Sequence, residues 1–404
     1  VRTLFFIFFV TQLTAAKLKD GPYRAVLTLD PQENIELPFN FEVLQNGKKL
    51  VIKNGEEKIV VDEIKKKGDS VFIKMPVFDT EFRCRITEKG LEGFWYNHYR
   101  KEKNIIPFKA FYGESNRFPF VPGKANPYFE GRWETTFSPG TSDSSKAIGI
   151  FHHIEQTDYL SGTFLTETGD YRYLEGMKHN NEIYLSCFDG SHAFLFIGSM
   201  KSDQEMIKGK FFSGAHWQEN WIAKKNEQFK LKDPEEITLV KNKDEIVDLS
   251  FMNFDKKMIS LHDKKFENKV VVLQVMGSWC PNCMDESAYL STIYKTYKEQ
   301  GLEIVALAFE KTTDFEKAKA QVSRLIKRYD IQYTVLLPLQ TGKDKASESL
   351  NFVNKITAFP TTIFLNREHK IVKIHTGFSG PATGNEYLRF QQATEGLIKN
   401  MLKN

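Results

Sequence analysis

The hydrophobic pattern changes character once along this chain, and that change limits the fold more than any other feature. From about Pro22 to Gln228, apolar residues recur at alternate positions in short runs such as "YRAVLTL", "DSVFIKM" and "EFRCRI", divided by Gly, Asn, Asp and Lys. Alternation broken by turn residues reads as antiparallel β-structure. A polar stretch follows, "KNEQFKLKDPEEITLVKNKDE". Beyond it, continuous apolar runs ("KVVVLQVMG", "LEIVALAF", "YTVLL") alternate with amphipathic segments ("CMDESAYLSTIYKTYKEQG", "TDFEKAKAQVSRLIKRYD"). A continuous apolar run is a strand covered on both faces. Strand–helix–strand alternation gives a sheet with parallel strands and helices on either side. Two kinds of core in 404 residues predict a multidomain protein: an antiparallel all-β region, then an α/β domain over 249–404.

The β region carries a weak internal repeat. "GDSVFIKMPVFDTEFRCRI" resembles "NNEIYLSCFDGSHAFLFIG", and "LEGFWYNHYRKEKNIIPFKA" resembles "IKGKFFSGAHWQENWIAKK". The copies span 21–113 and 129–230, joined by the Pro/Gly-rich "ESNRFPFVPGKANPYFE". Meandering strands close most economically into small barrels. The expectation is two tandem lipocalin-like barrels, or one larger two-lobed sheet. Their many Phe, Tyr and Trp residues fill a core or line a cavity for an apolar ligand. Cys84 and Cys187 fall in these runs, as small buried hydrophobes or as a disulfide between the copies.

At the N-terminus, Arg2, the apolar run Leu4–Val10 and small residues up to Ala16 read as a cleavable secretory signal over 1–16. The run is shorter than the ~20 residues a spanning helix needs. A buried strand is the plainer alternative. The expected mature protein is exported and soluble, periplasmic or else secreted, with no stable membrane insertion. The formal charge is +4, with both signs interspersed and no long basic block, so nothing argues for nucleic acid and no nucleic-acid partner is expected.

The chemistry concentrates in "GSWCPNC". A strand that ends in Trp-Cys and passes at once into a helix puts Cys280 at a helix N-terminus. Unpaired N–H groups and the macrodipole favour a thiolate there. Pro281 suits the first turn because its missing N–H costs nothing. Cys283, one turn on, is placed to resolve a mixed disulfide formed at Cys280. Zinc would want two further close ligands, and His262, His369 and His375 stand apart in the sequence. A structural staple closing so small a loop would stabilise little. The pair reads as a redox-active disulfide that needs no separate cofactor. Downstream, "AFPTTIFL" puts Pro360 at a strand start, where a cis bond would be purposeful and an ordinary trans bond is the plain alternative.

"GSWCPNC" after a buried strand, "FPTTIFL" downstream, the preceding hairpin "FMNFDKKMISL" and the tail "TGFSGPATGNEY" together resemble the thioredoxin superfamily, in its TlpA/ResA-like branch of exported thiol-disulfide oxidoreductases. The resemblance implies a thioredoxin-like fold and a nucleophilic Cys280 with Cys283 resolving. It also implies a cis Pro360, and substrate contacts at Trp279, Pro281, Asn282, Phe359 and Thr361. Where thioredoxins carry a buried Asp, this chain has Gln274, which cannot relay a proton. The branch carries a Glu after the next core strand, matching Glu310, a candidate proton acceptor for Cys283; a solvated loop carboxylate is the alternative. Implied partners are client proteins bearing disulfides or thiols and a membrane electron donor. The competing reading is an apolar-ligand or partner-binding protein with an accessory redox domain.

Overall fold

The structure, a computed structural model, describes residues 17–124, 127–200, 206–242 and 244–403. The signal segment expected at 1–16 lies outside the described residues. No helix among the described residues is long and apolar enough to cross a membrane.

The first unit is an antiparallel meander: β1 (Gly21–Asp30), β2 (Ile35–Leu44), β3 (Lys49–Asn54), β4 (Glu57–Val61), β5 (Glu63–Lys67), β6 (Ser70–Lys74), β7 (Thr80–Ile86), β8 (Gly90–Asn97) and β9 (Ile105–Tyr112). Its strand order is β4-β3-β2-β1-β9-β8-β7-β6-β5. β1 and β9 pair in the middle, so β4 and β5 are the ends, and no ladder among the described residues joins them. The two end strands follow one another with only Asp62 between them, so one bent strand pairs with β3 at its start and β6 at its end and brings the sheet round into a barrel-like unit. β5 reads EIKKK and turns Lys65, Lys66 and Lys67 to solvent, charges that discourage pairing with another chain.

The second unit closes through a ladder. It comprises β10 (Gly131–Phe137), β11 (Ser145–His153), β12 (Tyr159–Thr166), β13 (Gly169–Asp170), β14 (Leu174–His179), β15 (Glu182–Phe188), β16 (Ala193–Met200), β17 (Met206–Ser213) and β18 (Trp217–Lys225). β10 pairs with both β11 and β18, and β11 also pairs with β12, which completes the ring; β13 is a short flap on β12. The inward positions are filled by rings. Phe196 stacks on Phe211 at 4.4 Å and packs on Phe164 at 4.6 Å, beside Trp221 and Phe137. The aromatic richness is thus a core, packed as aromatic pairs prefer.

The two β units are fastened to each other. Phe188 of β15 stacks on Phe39 of β2 at 4.5 Å. Asn54 donates to the Phe188 carbonyl (3.0 Å) and accepts from the Phe188 N–H (3.3 Å). From the connecting segment, fully buried Arg117 donates to the Ser186 hydroxyl (3.1 Å), the Lys53 carbonyl (2.5 Å) and Glu175 (3.0 Å), so it binds both units at once. Cys84 and Cys187 are both buried free thiols, one in each unit. Burial pushes Cys84 up to about 12 and Cys187 well above its usual value, so neither is a ready nucleophile.

The third unit opens with a hairpin, β19 (Ser250–Met252) and β20 (Met258–Ser260). Its core runs β21 (Val270–Met276), α1 (Pro281–Tyr297), β22 (Leu302–Ala308), α2 (Phe315–Tyr329), β23 (Thr334–Leu336), α3 (Gly342–Ser349), β24 (Thr361–Leu365), β25 (Ile371–Thr376) and α4 (Asn385–Lys403). The sheet order is β23-β22-β21-β24-β25, with β21, β22 and β23 parallel and β24 and β25 antiparallel additions. Every residue of β21 is buried, as its unbroken apolar run requires. Gly301, at φ 102, ends the turn that follows α1. Asp314 is the N-cap of α2 and its carboxylate accepts from the Lys317 N–H (2.8 Å), an acid meeting the positive end of the helix.

Truncating the barrel core tests the packing. Phe196→Ala is expected to cost ~3–5 kcal/mol. In a urea titration followed by tryptophan fluorescence, the earliest transition should move to lower denaturant, because Trp133 and Trp221 report on this core. A transition left in place would show that the rings contribute little.

Candidate active site

β21 delivers the chain to Gly277–Trp279, and α1 starts at Pro281. Cys280 is therefore the helix N-cap, in extended conformation, and its sulfur accepts the Cys283 N–H at 3.2 Å. The two cysteines are disulfide-bonded with Cα atoms 5.2 Å apart. Cys280 is 7% exposed and Cys283 is fully buried, so one sulfur meets an incoming partner and the other does not.

Three aromatic residues frame the couple. Trp279 donates from its indole N–H to the Phe309 carbonyl (3.0 Å), and its ring lies edge-on to Phe359 at 5.6 Å. Lys311 sits 3.8 Å from the centre of the Trp279 ring. The Phe359–Pro360 bond is cis, and the Phe359 carbonyl oxygen is 3.4 Å from the Cys280 sulfur. The structure thus brings Trp279, Pro281, Asn282, Phe359 and Pro360 together around Cys280. Thr361 is different: it is buried in β24 and its hydroxyl donates to the Ala358 carbonyl (2.9 Å), away from any opening.

Two carboxyls lie underneath. Glu310, after β22, is 2% exposed, not a solvated loop residue. It accepts from the Ser278 N–H (2.7 Å) and the Ser278 hydroxyl (2.8 Å), which ties it to the turn that presents Cys280. Burial pushes it up to about 7, with the Ser278 bonds pulling partly the other way. Glu286, which the sequence reading passed over, is fully buried one turn beyond Cys283. It accepts from the Gln274 amide (2.8 Å) and the Thr362 hydroxyl (2.5 Å), and burial raises it too to about 7. A signal was present: Glu286 falls on the same helical stripe as Cys283, Leu290, Ile293 and Tyr297, which is the buried face. Gln274 thus holds an acid in place although it cannot be one.

The closed barrel supplies the remaining wall. Gly169 has φ +146, and a Cβ there would run into the Asn282 amide. That amide donates to the Asp170 carbonyl (3.2 Å). The Asp170 carboxylate accepts from the N–H groups of Gly380 (2.5 Å) and Arg172 (2.6 Å). Arg172, 6% exposed, donates to the Pro281 carbonyl (3.0 Å) and to Asp285 of α1, and also to Glu57 of the first unit. Its Nε lies 3.7 Å from Asp189. Further out, Arg132 of β10 pairs with Glu386 of α4 at 2.7 Å. Between barrel and couple runs a cleft of about 600 Å³. Trp279, Cys280, Asn282 and Phe359 form one side, and Lys146, Thr168, Tyr171, His192 and Phe194 the other. None of the barrel residues carried a local sequence signal, because their partners lie more than a hundred positions away.

Residues 240–388 match the Redoxin family model. The thiol-disulfide oxidoreductase ResA of Halalkalibacterium halodurans is 30% identical over 131 residues, which is 32% of this chain and 66% of that protein. ResA of Bacillus subtilis is 32% identical over 132 residues, 33% of this chain and 65% of that protein. The chain therefore spans just under two thirds of the length of these relatives. Among solved structures, a thiol-disulfide oxidoreductase from Bacteroides fragilis is 18% identical, covering 36% of this chain and 98% of that one, with a TM-score of 0.28. A secreted thiol-disulfide isomerase from Corynebacterium glutamicum is 18% identical, covering 43% of this chain and 98% of that one, with a TM-score of 0.31. With its buried strand, Cys-Pro-Asn-Cys helix start and family match, the C-terminal part of this chain is a Redoxin domain of the thioredoxin superfamily, in its TlpA/ResA-like branch.

Proposed function

We propose that the protein is an exported thiol-disulfide oxidoreductase that reduces or exchanges disulfides in polypeptide clients through Cys280 and Cys283. The observation that carries this reading is the couple itself: a slightly exposed sulfur at a helix N-terminus, disulfide-bonded to a fully buried one a turn later, at the wall of a cleft. Similarity to the ResA proteins supports the same chemistry and an extracytoplasmic location, periplasmic or secreted.

In the reducing direction, the Cys280 thiolate attacks one sulfur of a client disulfide. The other client sulfur leaves as a thiolate, and a mixed disulfide joins client to Cys280. Cys283, deprotonated, then attacks the Cys280 sulfur and releases the second client thiolate. The client gains two electrons, and the couple is left as the Cys280–Cys283 disulfide. The redox equivalents stay in the two sulfurs, with no separate cofactor. Renewal needs a reductant, for which a membrane electron donor is the proposed source. The proton of Cys283 needs an acceptor, and Glu310 and Glu286, both raised to about 7, are in a range to take it near neutral pH. Because the barrel stands over one side of Cys280, the cleft suits an extended client segment better than a flat folded surface. A barrel filled with rings argues against the competing role of apolar-ligand container.

Cysteine variants test the reaction. Cys280→Ser is expected to abolish turnover of a disulfide-bonded client such as insulin, whereas Cys283→Ser should accumulate a mixed disulfide at Cys280, detected as a mass adduct removed by dithiothreitol. Turnover retained in Cys280→Ser would end the proposal.

The buried acids make a second expectation. Each has a folded-state pKa of about 7 against an ordinary 4.5, so the folded state holds a proton that the unfolded chain has lost. The stabilisation is complete below about 4.5 and is lost as pH rises through 7. Glu286→Gln should flatten this decline by on the order of 3 kcal/mol in denaturation measured from pH 4 to 8. Glu310→Gln should remove the rise in turnover through pH 7 while the fold persists. Curves parallel to the parent protein in both assays would take these acids out of the account.

A further inference from the structure

Beyond its own helix, the couple is held by a charge from another unit. Arg172 reaches the carbonyl of Pro281, the residue that follows Cys280, at 3.0 Å, and pairs with Asp285 at the start of the second turn of α1. A guanidinium stays charged in proteins. Buried as this one is, its field is weakly screened. We propose that the closed barrel is a working part of the redox site: Arg172 is a positioning residue that clamps the first turn of α1 and stabilises the Cys280 thiolate, so that the reactivity of the couple depends on the docked barrel. The inference rests on the redox reading above and adds the barrel to it.

Arg172 has little freedom to do otherwise. Glu57 of the first unit pairs with it, Asp189 lies 3.7 Å from its Nε, and Asp170 accepts its backbone N–H. Moving it would leave several buried carboxylates uncompensated, a severe cost. The other charged or titratable groups facing this end of α1 are Lys146, Glu167, Tyr171 and His192 on the barrel, Lys58 on the first unit, Glu286 on α1, Arg328 and Tyr329 on α2, and Glu310 and Lys311 after β22. Arg172 and Asp285 form a hydrogen-bonded pair close to Cys280, of opposite sign above about pH 7, to which burial raises Asp285. A cation there lowers the thiol's pKa, and an anion raises it. A clamp that acted through shape alone would give both substitutions the same sign, because either would loosen the docking.

The test is the pH dependence of iodoacetamide alkylation at Cys280 in the reduced full chain, read by peptide mass spectrometry, with the redox equilibrium against glutathione. Arg172→Met should raise the apparent Cys280 pKa by about 1 unit. It should also shift the equilibrium about tenfold toward the disulfide, which corresponds to about 30 mV. Asp285→Asn keeps an acceptor for Arg172 and should move both quantities the opposite way. Shifts of the same sign, or no shift in Asp285→Asn, would overturn the proposal. If Arg172→Met fails to fold, the sign in Asp285→Asn decides alone. Failure of the redox reading looks different: Cys280 and Cys283 of the parent protein would then form no reversible disulfide at all.

Discussion

A single buried guanidinium joins the three units of this chain. Arg172, on the second unit, binds Glu57 of the first unit and both Asp285 and the Pro281 carbonyl of the redox helix. Exposed ion pairs are worth little. This one is buried, and the gain from pairing is offset by the cost of removing the charges from water. Net adhesion must therefore come from elsewhere. It comes from apolar contact: Phe188, Leu195 and Phe212 of the second unit belong to the same buried cluster as Phe39 and Phe108 of the first unit and Val271 and Leu307 of the redox domain. Apolar surface is non-directional. What the ion cluster adds is register, because only one docking geometry satisfies every member.

The redox domain shows a comparable division of labour. The helix terminus supplies a thiolate-stabilising field that any cysteine at that N-cap would feel. The buried acids sit apart from it, on β22's exit and on the inner stripe of α1. Gln274 lies between the sheet and Glu286 as a neutral holder, donating one amide hydrogen to the acid and another to Ser287. Proton-accepting capacity thus sits on the helix that carries Cys283 and on the neighbouring loop. Both acids are buried without a cation at hydrogen-bond distance, and that desolvation brings them into the neutral range.

Legibility in the sequence followed the range of the interactions. The change from alternating to continuous apolar runs separated the β region from the α/β domain, because both signals are local periodicities. The Cys280 site was readable for the same reason: strand end, N-cap, Pro281 and Cys283 lie within a few residues. The way each barrel closes was not readable. The two β copies have similar strand lengths, yet the second closes through a β11–β12 ladder while the first comes round through the bent β4–β5 stretch. Nothing local decides which ladder forms last. Glu286 was visible as a helical-stripe position but was masked by the expectation that acids face water. Arg172, Asp170 and Asp285 were invisible, since each is defined by partners from distant segments.

The geometry of docking also explains why the barrel bears on chemistry and not only on stability. Two glycines mark the closest approach. A Cβ on Gly169 would strike Asn282 inside the Cys-Pro-Asn-Cys turn, and one on Gly377, at φ +81, would come within 2.7 Å of the Thr168 carbonyl carbon. Contacts this tight leave no room for a solvent layer between barrel loop and redox helix. The barrel loop therefore occupies one face of the couple, and a client reaches the sulfur only along the cleft that remains. Access, acidity and domain docking are then one structural problem with one solution, because Pro281, Asn282 and Asp285 each bond to the barrel within the first two turns of the helix that Cys280 caps.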